Sequence, residues 1–179
     1  GCWGIGAIAD PHGMTIVDDI VYITDRSDHV AVKFTLDGKP LQIIGERGVF
    51  SDTGCEKPGD LVPRAAGPFN YCTEMAPSPS GDIYVSDGYR NARVHRFNSD
   101  GRLINSWGQP GKTEPGEFHL VHSLLIDPEG KVYVCDRANR RVQIFSPEGE
   151  FITMWTGMGG PDNIVRDKDG IFYIAEQAD

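Results

Sequence analysis

The chain has 179 residues, 39% hydrophobic and 24% charged, with a formal net charge of −9, enough for one domain with its own core. Its acidic surface repels a phosphate backbone, so no nucleic-acid partner is expected. No run approaches the roughly 20 apolar residues of a membrane span, so no membrane association is expected either. The 22 Gly and 12 Pro favour many turns over long helices.

The N-terminal stretch Gly-Cys-Trp-Gly-Ile-Gly has no basic region and no apolar core of a signal peptide. It begins without Met, which leads us to expect an upstream segment. Residues 1–6, with Trp3-Gly4, read as the end of an earlier repeat. The cysteines Cys2, Cys55, Cys72 and Cys135 form no C-x-x-C pair. Four cysteines allow three pairings, and the spacing selects none of them.

The first strand pattern is Met14–Val17, followed by the turn Asp18-Asp19 and by Ile20–Asp25 (IVYITD), an apolar run closed by an acid. A second strand follows at His29–Phe34 and a third at Leu41–Gly45, separated by Asp37-Gly38. The same order returns along the chain. Met75-Ala76 leads to Ile83–Asp87 (IYVSD), Ala92–Phe97 and Leu103–Gly108; Leu124–Ile126 leads to Val132–Asp136 (VYVCD), Arg141–Phe145 and Phe151–Trp155; Ile164-Val165 leads to Phe172–Glu176 (FYIAE). Short β-branched runs bounded by Gly turns are strands. A unit of four antiparallel strands recurring with the same turn chemistry is a β-propeller blade. A β-sandwich is the alternative all-β architecture, but it does not repeat its turns at fixed offsets. The sequence therefore predicts an all-β propeller with about 14 short strands, in one domain over 1–179. Blades occupy 9–45, 67–108 and 117–155, and 159–179 forms part of a fourth. An insertion at 46–66, rich in Gly, Pro and charge, reads as a long loop over one face, where binding function concentrates. The partial ring leaves sheet faces and edges open, so self-association into a dimer is expected.

The words Ser-Asp-Gly-Tyr (86–89), Asn-Ala-Arg-Val (91–94) and Asp-Arg-Ala-Asn-Arg-Arg-Val (136–142) resemble NHL repeats. Together with Pro-His-Gly (11–13) and His-Ser-Leu (122–124), they resemble the peptidyl-α-hydroxyglycine α-amidating lyases. The resemblance spans almost the whole chain. It implies a six-bladed ring, zinc held by three axial histidines of which His12 and His122 match two, an active-site tyrosine at Tyr89 and an active-site arginine at Arg137. The third histidine would fall beyond Asp179, and a further arginine before Gly1. Pro161-Asp162-Asn163 stands where the family has Pro-Thr-Asp.

Aligning the blades on their acids gives an independent reading. The residues opening the innermost strands are His12, Thr73, His122 and Asp162. Such positions ring one mouth of the central channel. Two imidazoles and a carboxylate there are competent metal ligands; the alternative is that they only hydrate the channel. His29, His95 and His119 fit packing or surface roles better. Tyr89 is either a proton acceptor at the mouth or a packing residue between blades, and Arg137 either holds a substrate or pairs with Asp136 as a structural link.

Three functions follow. The first is a metal-dependent lyase cleaving an α-hydroxyglycine carbinolamide to amide and glyoxylate, with a peptide or small molecule as substrate. The second is a non-catalytic propeller that binds peptide or protein through its loop face. The third, weakest in its ligand set (Asp162, Asn163, Glu74), is a lactonase-like hydrolase using a divalent cation. The candidate cofactors are thus zinc and calcium.

Overall fold

A computed structural model describes residues 2–178. Blade one is β1 (Pro11–Val17), β2 (Ile20–Asp25), β3 (Val30–Thr35) and β4 (Pro40–Ile44). Blade two is β5 (Cys72–Pro77), β6 (Ile83–Asp87), β7 (Arg93–Phe97) and β8 (Leu103–Trp107). A short parallel pair, β9 (Gln109–Pro110) with β10 (Glu117–Phe118), links it to blade three. Blade three is β11 (Val121–Ile126), β12 (Val132–Asp136), β13 (Arg141–Phe145) and β14 (Phe151–Trp155). Two strands of a further blade follow, β15 (Gly160–Arg166) and β16 (Phe172–Gln177). Each blade sheet is antiparallel in sequence order, and the only helical element among the described residues is one 3-10 turn at Arg137–Asn139. The sheets are those of a propeller, and among the described residues they do not close into a ring.

The core lies between blades. Tyr22, Ala31 and Ile44 of blade one pack with Met75, Ile83 and Val85 of blade two. Tyr84 and Val94 pack with Val121, Leu124, Val132 and Phe145 of blade three. Tyr133, Cys135 and Ile144 pack with Ile164 and Ile174. Alternate residues of each second strand therefore face opposite neighbours. That is why these runs are apolar throughout instead of alternating with polar residues. The hairpin at Asp18-Asp19 lacks glycine, yet both residues take positive φ (50° and 60°), the conformation a tight two-residue hairpin needs and Asp tolerates.

The acid closing each second strand is completely buried in the three full blades. Asp25 accepts hydrogen bonds from the Ala9 and Asp10 N–H groups. Asp87 accepts from the Asn70 N–H, the Asn91 amide and the His95 ring. Asp136 accepts from the His119 N–H, Asn139, Arg141 and Gln143. Each acid thus fastens the incoming linker to the strand that follows. His95, sandwiched between Asp87 and the Ser106 hydroxyl (2.7 Å), has the layout of a hydrolytic triad. Its blade-three counterpart Gln143 bonds the equivalent acid, Asp136, which identifies a structural strut.

Removing a buried acceptor strands several donors at once. Asp87→Ala is expected to cost roughly 3 kcal/mol or more, read as a lower denaturant midpoint; a loss below about 0.5 kcal/mol would contradict this role.

Candidate functional site

All four inner strands break register at one place. The pairing shifts between Pro11 and Met14, between Cys72 and Glu74, between Val121 and Ser123, and between Pro161 and Asn163. The displaced residues are His12 (with Gly13), Thr73, His122 and Asp162. A bulge leaves the ladder locally and re-aims its side chain. The bulges also explain why the apolar pattern alone places these strands' starts too late: the first residues are polar and irregular.

Two of the four side chains converge. The His12 Nδ1–H donates to the Thr73 carbonyl (2.8 Å) and the His122 Nδ1–H to the Asp162 carbonyl (2.7 Å). A carbonyl only accepts, so each ring carries its proton on Nδ1 and presents an Nε2 lone pair. Both Nε2 atoms face the Tyr89 hydroxyl, His12 at 3.4 Å and His122 at 3.1 Å. The imidazole centroids lie 4.8 Å apart. The phenol has one proton for two acceptors. It serves His122 at the shorter distance and leaves the His12 lone pair unshared. Burial pushes the His122 ring down to about 4 and lowers His12 as well, so both are neutral at pH 7.

Thr73 turns away and donates to the Val121 carbonyl (2.9 Å), tying blade two to blade three. The Asp162 carboxylate stays on the Nδ1 side of His122, 3.7 Å from that nitrogen, and pairs with Arg137 Nη1 (2.8 Å). Arg137 therefore links blade three to the next sheet through Asp162. The pairing with Asp136 expected as its structural role belongs to Arg141 instead (2.7 Å). Among the described residues, no three His, Cys, Asp or Glu side chains gather as a metal-binding group. The donor chemistry of His12 and His122 nonetheless suits zinc. Each ring holds its second nitrogen on a backbone carbonyl, as ligating histidines do, and two lone pairs point to one place.

These residues line a cavity of about 430 Å³ with Gly13, Glu74, Ser123, Asn163 and Gln177. A larger cavity, about 560 Å³, opens among turns carrying Asp18, Ser78, Asp127 and Asp167. It contains no histidine, cysteine or tyrosine other than Tyr22, so His12, His122 and Tyr89 belong to the smaller one. Gly13 fits tightly: a Cβ there would lie 2.4 Å from the Thr73 carbonyl oxygen and 2.8 Å from Glu74. His29, His95 and His119 lie away from this cavity. His29 and His95 are buried in packing, and the His119 ring meets the Gly59 carbonyl of the insertion. That insertion is anchored on the same face, with Gly59 N–H donating to the Tyr89 carbonyl (2.7 Å).

The sequence pattern did not single out Arg26. Its guanidinium carbon lies 5.1 Å from the Tyr89 ring centre, against 5.5 Å for Arg137. The signal was available, because Arg26 and Arg137 each follow directly after a blade acid. Blade two has Gly88 there, where a Cβ would overlap the Val121 carbonyl.

With this geometry in view, sequence comparison gives the relationship. The human NHL repeat-containing protein 3 is 30% identical over 93% of this chain. A probable peptidyl-α-hydroxyglycine α-amidating lyase of Caenorhabditis elegans is 34% identical over 98%. The chain is a homologue of the NHL-repeat propellers and the amidating lyases. It spans about half the length of these relatives, 49% and 48% respectively. No family model matches the sequence of this chain. Among solved structures, virginiamycin B lyase from Staphylococcus aureus aligns with a TM-score of 0.57 over 93% of this chain and 63% of its own, at 16% identity. That similarity concerns the fold.

Glu74 gives the site a measurable pH signature. Burial raises its carboxyl to about 7 from an ordinary 4.5. Folding therefore takes up a proton between these values, so Glu74's contribution is full below about 4.5 and is lost as pH rises through 7. Glu74→Gln is expected to gain stability relative to the parent on going from pH 5 to pH 8, by up to about 3 kcal/mol. Thermal melts at both pH values check this; an unchanged difference would place the carboxyl in water.

Proposed function

We propose that this chain carries the catalytic face of an amidating-lyase-type site acting on α-hydroxyglycine-extended peptides or small N-acyl analogues. The observation behind this reading is the meeting of two Nε2 lone pairs on the Tyr89 hydroxyl, in one cavity with Arg137. His12 and His122 would hold the zinc, with a further ligand from outside this pair; calcium, an oxygen-seeking ion, suits two imidazoles poorly. Zinc supplies a Lewis acid that polarises a substrate oxygen. Arg137 binds the substrate carboxylate, for which its planar fork is shaped. Tyr89 would act as the phenolate, its own proton given up to solvent, and its Oη would take the proton of the substrate hydroxyl and hand it to the departing nitrogen. The C–N bond then breaks, its electron pair passes to nitrogen, nitrogen takes up a proton, and the carbon leaves as the aldehyde of glyoxylate.

A second reading has its own support. Val49 and Phe50 of the insertion are more than half exposed on the face that carries the site. A non-catalytic propeller would use them to bind peptide without metal.

Zinc titration with a glyoxylate assay separates the two. The protein is expected to bind zinc and to release glyoxylate from an N-acyl-α-hydroxyglycine only when zinc is present. His12→Ala with His122→Ala should abolish both, and Tyr89→Phe should slow release about 100-fold. Peptide binding without zinc binding or glyoxylate release would favour the second reading and overturn the first.

A further inference from the structure

Two arginines border Tyr89, and the proposed chemistry uses one of them. One carboxylate occupies one guanidinium, and Arg137 serves that purpose. Arg26 stands at the same offset after its blade acid and approaches the same tyrosine from blade one, as Arg137 does from blade three. Between them, blade two can carry no side chain at this offset because of the contact at Gly88. Two cations therefore flank Tyr89, and the Val121 backbone fills the place where a blade-two side chain would stand between them. Each is held by one acid: Arg26 Nε bonds Asp10 Oδ2 (2.9 Å), and Arg137 Nη1 bonds Asp162 Oδ1 (2.8 Å). The Arg26 side chain is about one-third exposed and that of Arg137 about one-sixth, so both can be reached by a ligand. Each ion pair is neutral overall, but a guanidinium has five N–H donors, and the bonds to one acid leave some of them open to a ligand.

We infer that Arg26 is a specificity-determining residue that binds a second anionic group, so the preferred ligand is a peptide with an acidic side chain next to its C-terminal glycyl unit. This inference rests on the reading above, in which Arg137 binds the terminal carboxylate. Spacing supports it. Both guanidinium carbons lie within 5.5 Å of one ring centre, and two residues of extended peptide span roughly 7 Å. A terminal carboxylate and the neighbouring acidic side chain can therefore meet one arginine each.

Calorimetry with two probes, acetyl-Glu-Gly and acetyl-Gln-Gly, at low and high salt tests the inference. The parent protein should bind the glutamyl probe about tenfold more tightly, as one added charge-assisted hydrogen bond gives. Arg26→Met, which keeps the apolar stem, should erase that preference and leave acetyl-Gln-Gly unchanged; Arg26→Lys should restore part of it. Arg137→Met should weaken both probes. Equal weakening of both probes by Arg26→Met would show that Arg26 only supports Tyr89, and would overturn the inference. Equal affinities in the parent, or no binding of either probe, would do so as well. Failure of the lyase reading looks different: glyoxylate release stays absent with zinc while the charge preference persists.

Discussion

The arrangement of this molecule depends on three carboxylates buried where each second strand ends. A buried carboxylate costs several kcal/mol unless donors surround it. Asp25, Asp87 and Asp136 find those donors in the segment entering their own blade, in a backbone N–H at Ala9 and Asp10, at Asn70 and at His119. Each acid thereby fixes where the chain enters its inner strand. The bulge follows within two or three residues, and in blades one and three the bulged side chain is the histidine that turns into the cavity. Structure and site thus share a cause. The hydrogen bonds that join linker to sheet also aim His12 and His122. Glu176 continues the pattern in the last sheet by accepting from the Gly159 N–H.

The electrostatics of the mouth follow from this placement. Carbonyls of the next blade hold each imidazole on its Nδ1 side, so the orientation of each histidine depends on blade-to-blade packing. Burial keeps both rings neutral. The charges lie at the rim, in the Arg26–Asp10 and Arg137–Asp162 pairs. The centre is a set of lone pairs around one phenol, suited to a cation, and the rim is a set of guanidiniums, suited to anions. A ligand that bears a carboxylate and coordinates metal through oxygen satisfies both.

Much of this was legible in the sequence. The recurrent acids and glycine turns gave the blades, because tight turns and buried strands need particular residue types. The second strands Ile20–Asp25, Ile83–Asp87 and Val132–Asp136 end where the sequence places them, since burial on both faces leaves an unbroken apolar run. The inner strands begin earlier than their apolar residues suggest, at Pro11, Cys72 and Val121, because their first residues belong to bulges. Aligning blades on the acids located His12 and His122. It also placed Asp162 at the same mouth, where its carboxylate pairs with Arg137. Which cation an acid pairs with depends on the rotation between neighbouring sheets, and no single blade's sequence encodes that. Arg26 escaped notice for the same reason: its importance appears only when Tyr89, contributed by another blade, comes to lie beside it.

The central claim is that the fold presents two neutral imidazoles, each protonated on Nδ1, with both Nε2 lone pairs turned to Tyr89. Nitrogen-15 NMR of the histidine rings tests this directly, since chemical shifts and two-bond couplings distinguish the two tautomers and the imidazolium. At pH 7 without added metal, His12 and His122 should both show the Nδ1–H tautomer, and His122 should stay neutral until the pH approaches about 4. An Nε2–H tautomer at either ring, or a His122 that titrates near its ordinary value of 6.5, would contradict the account.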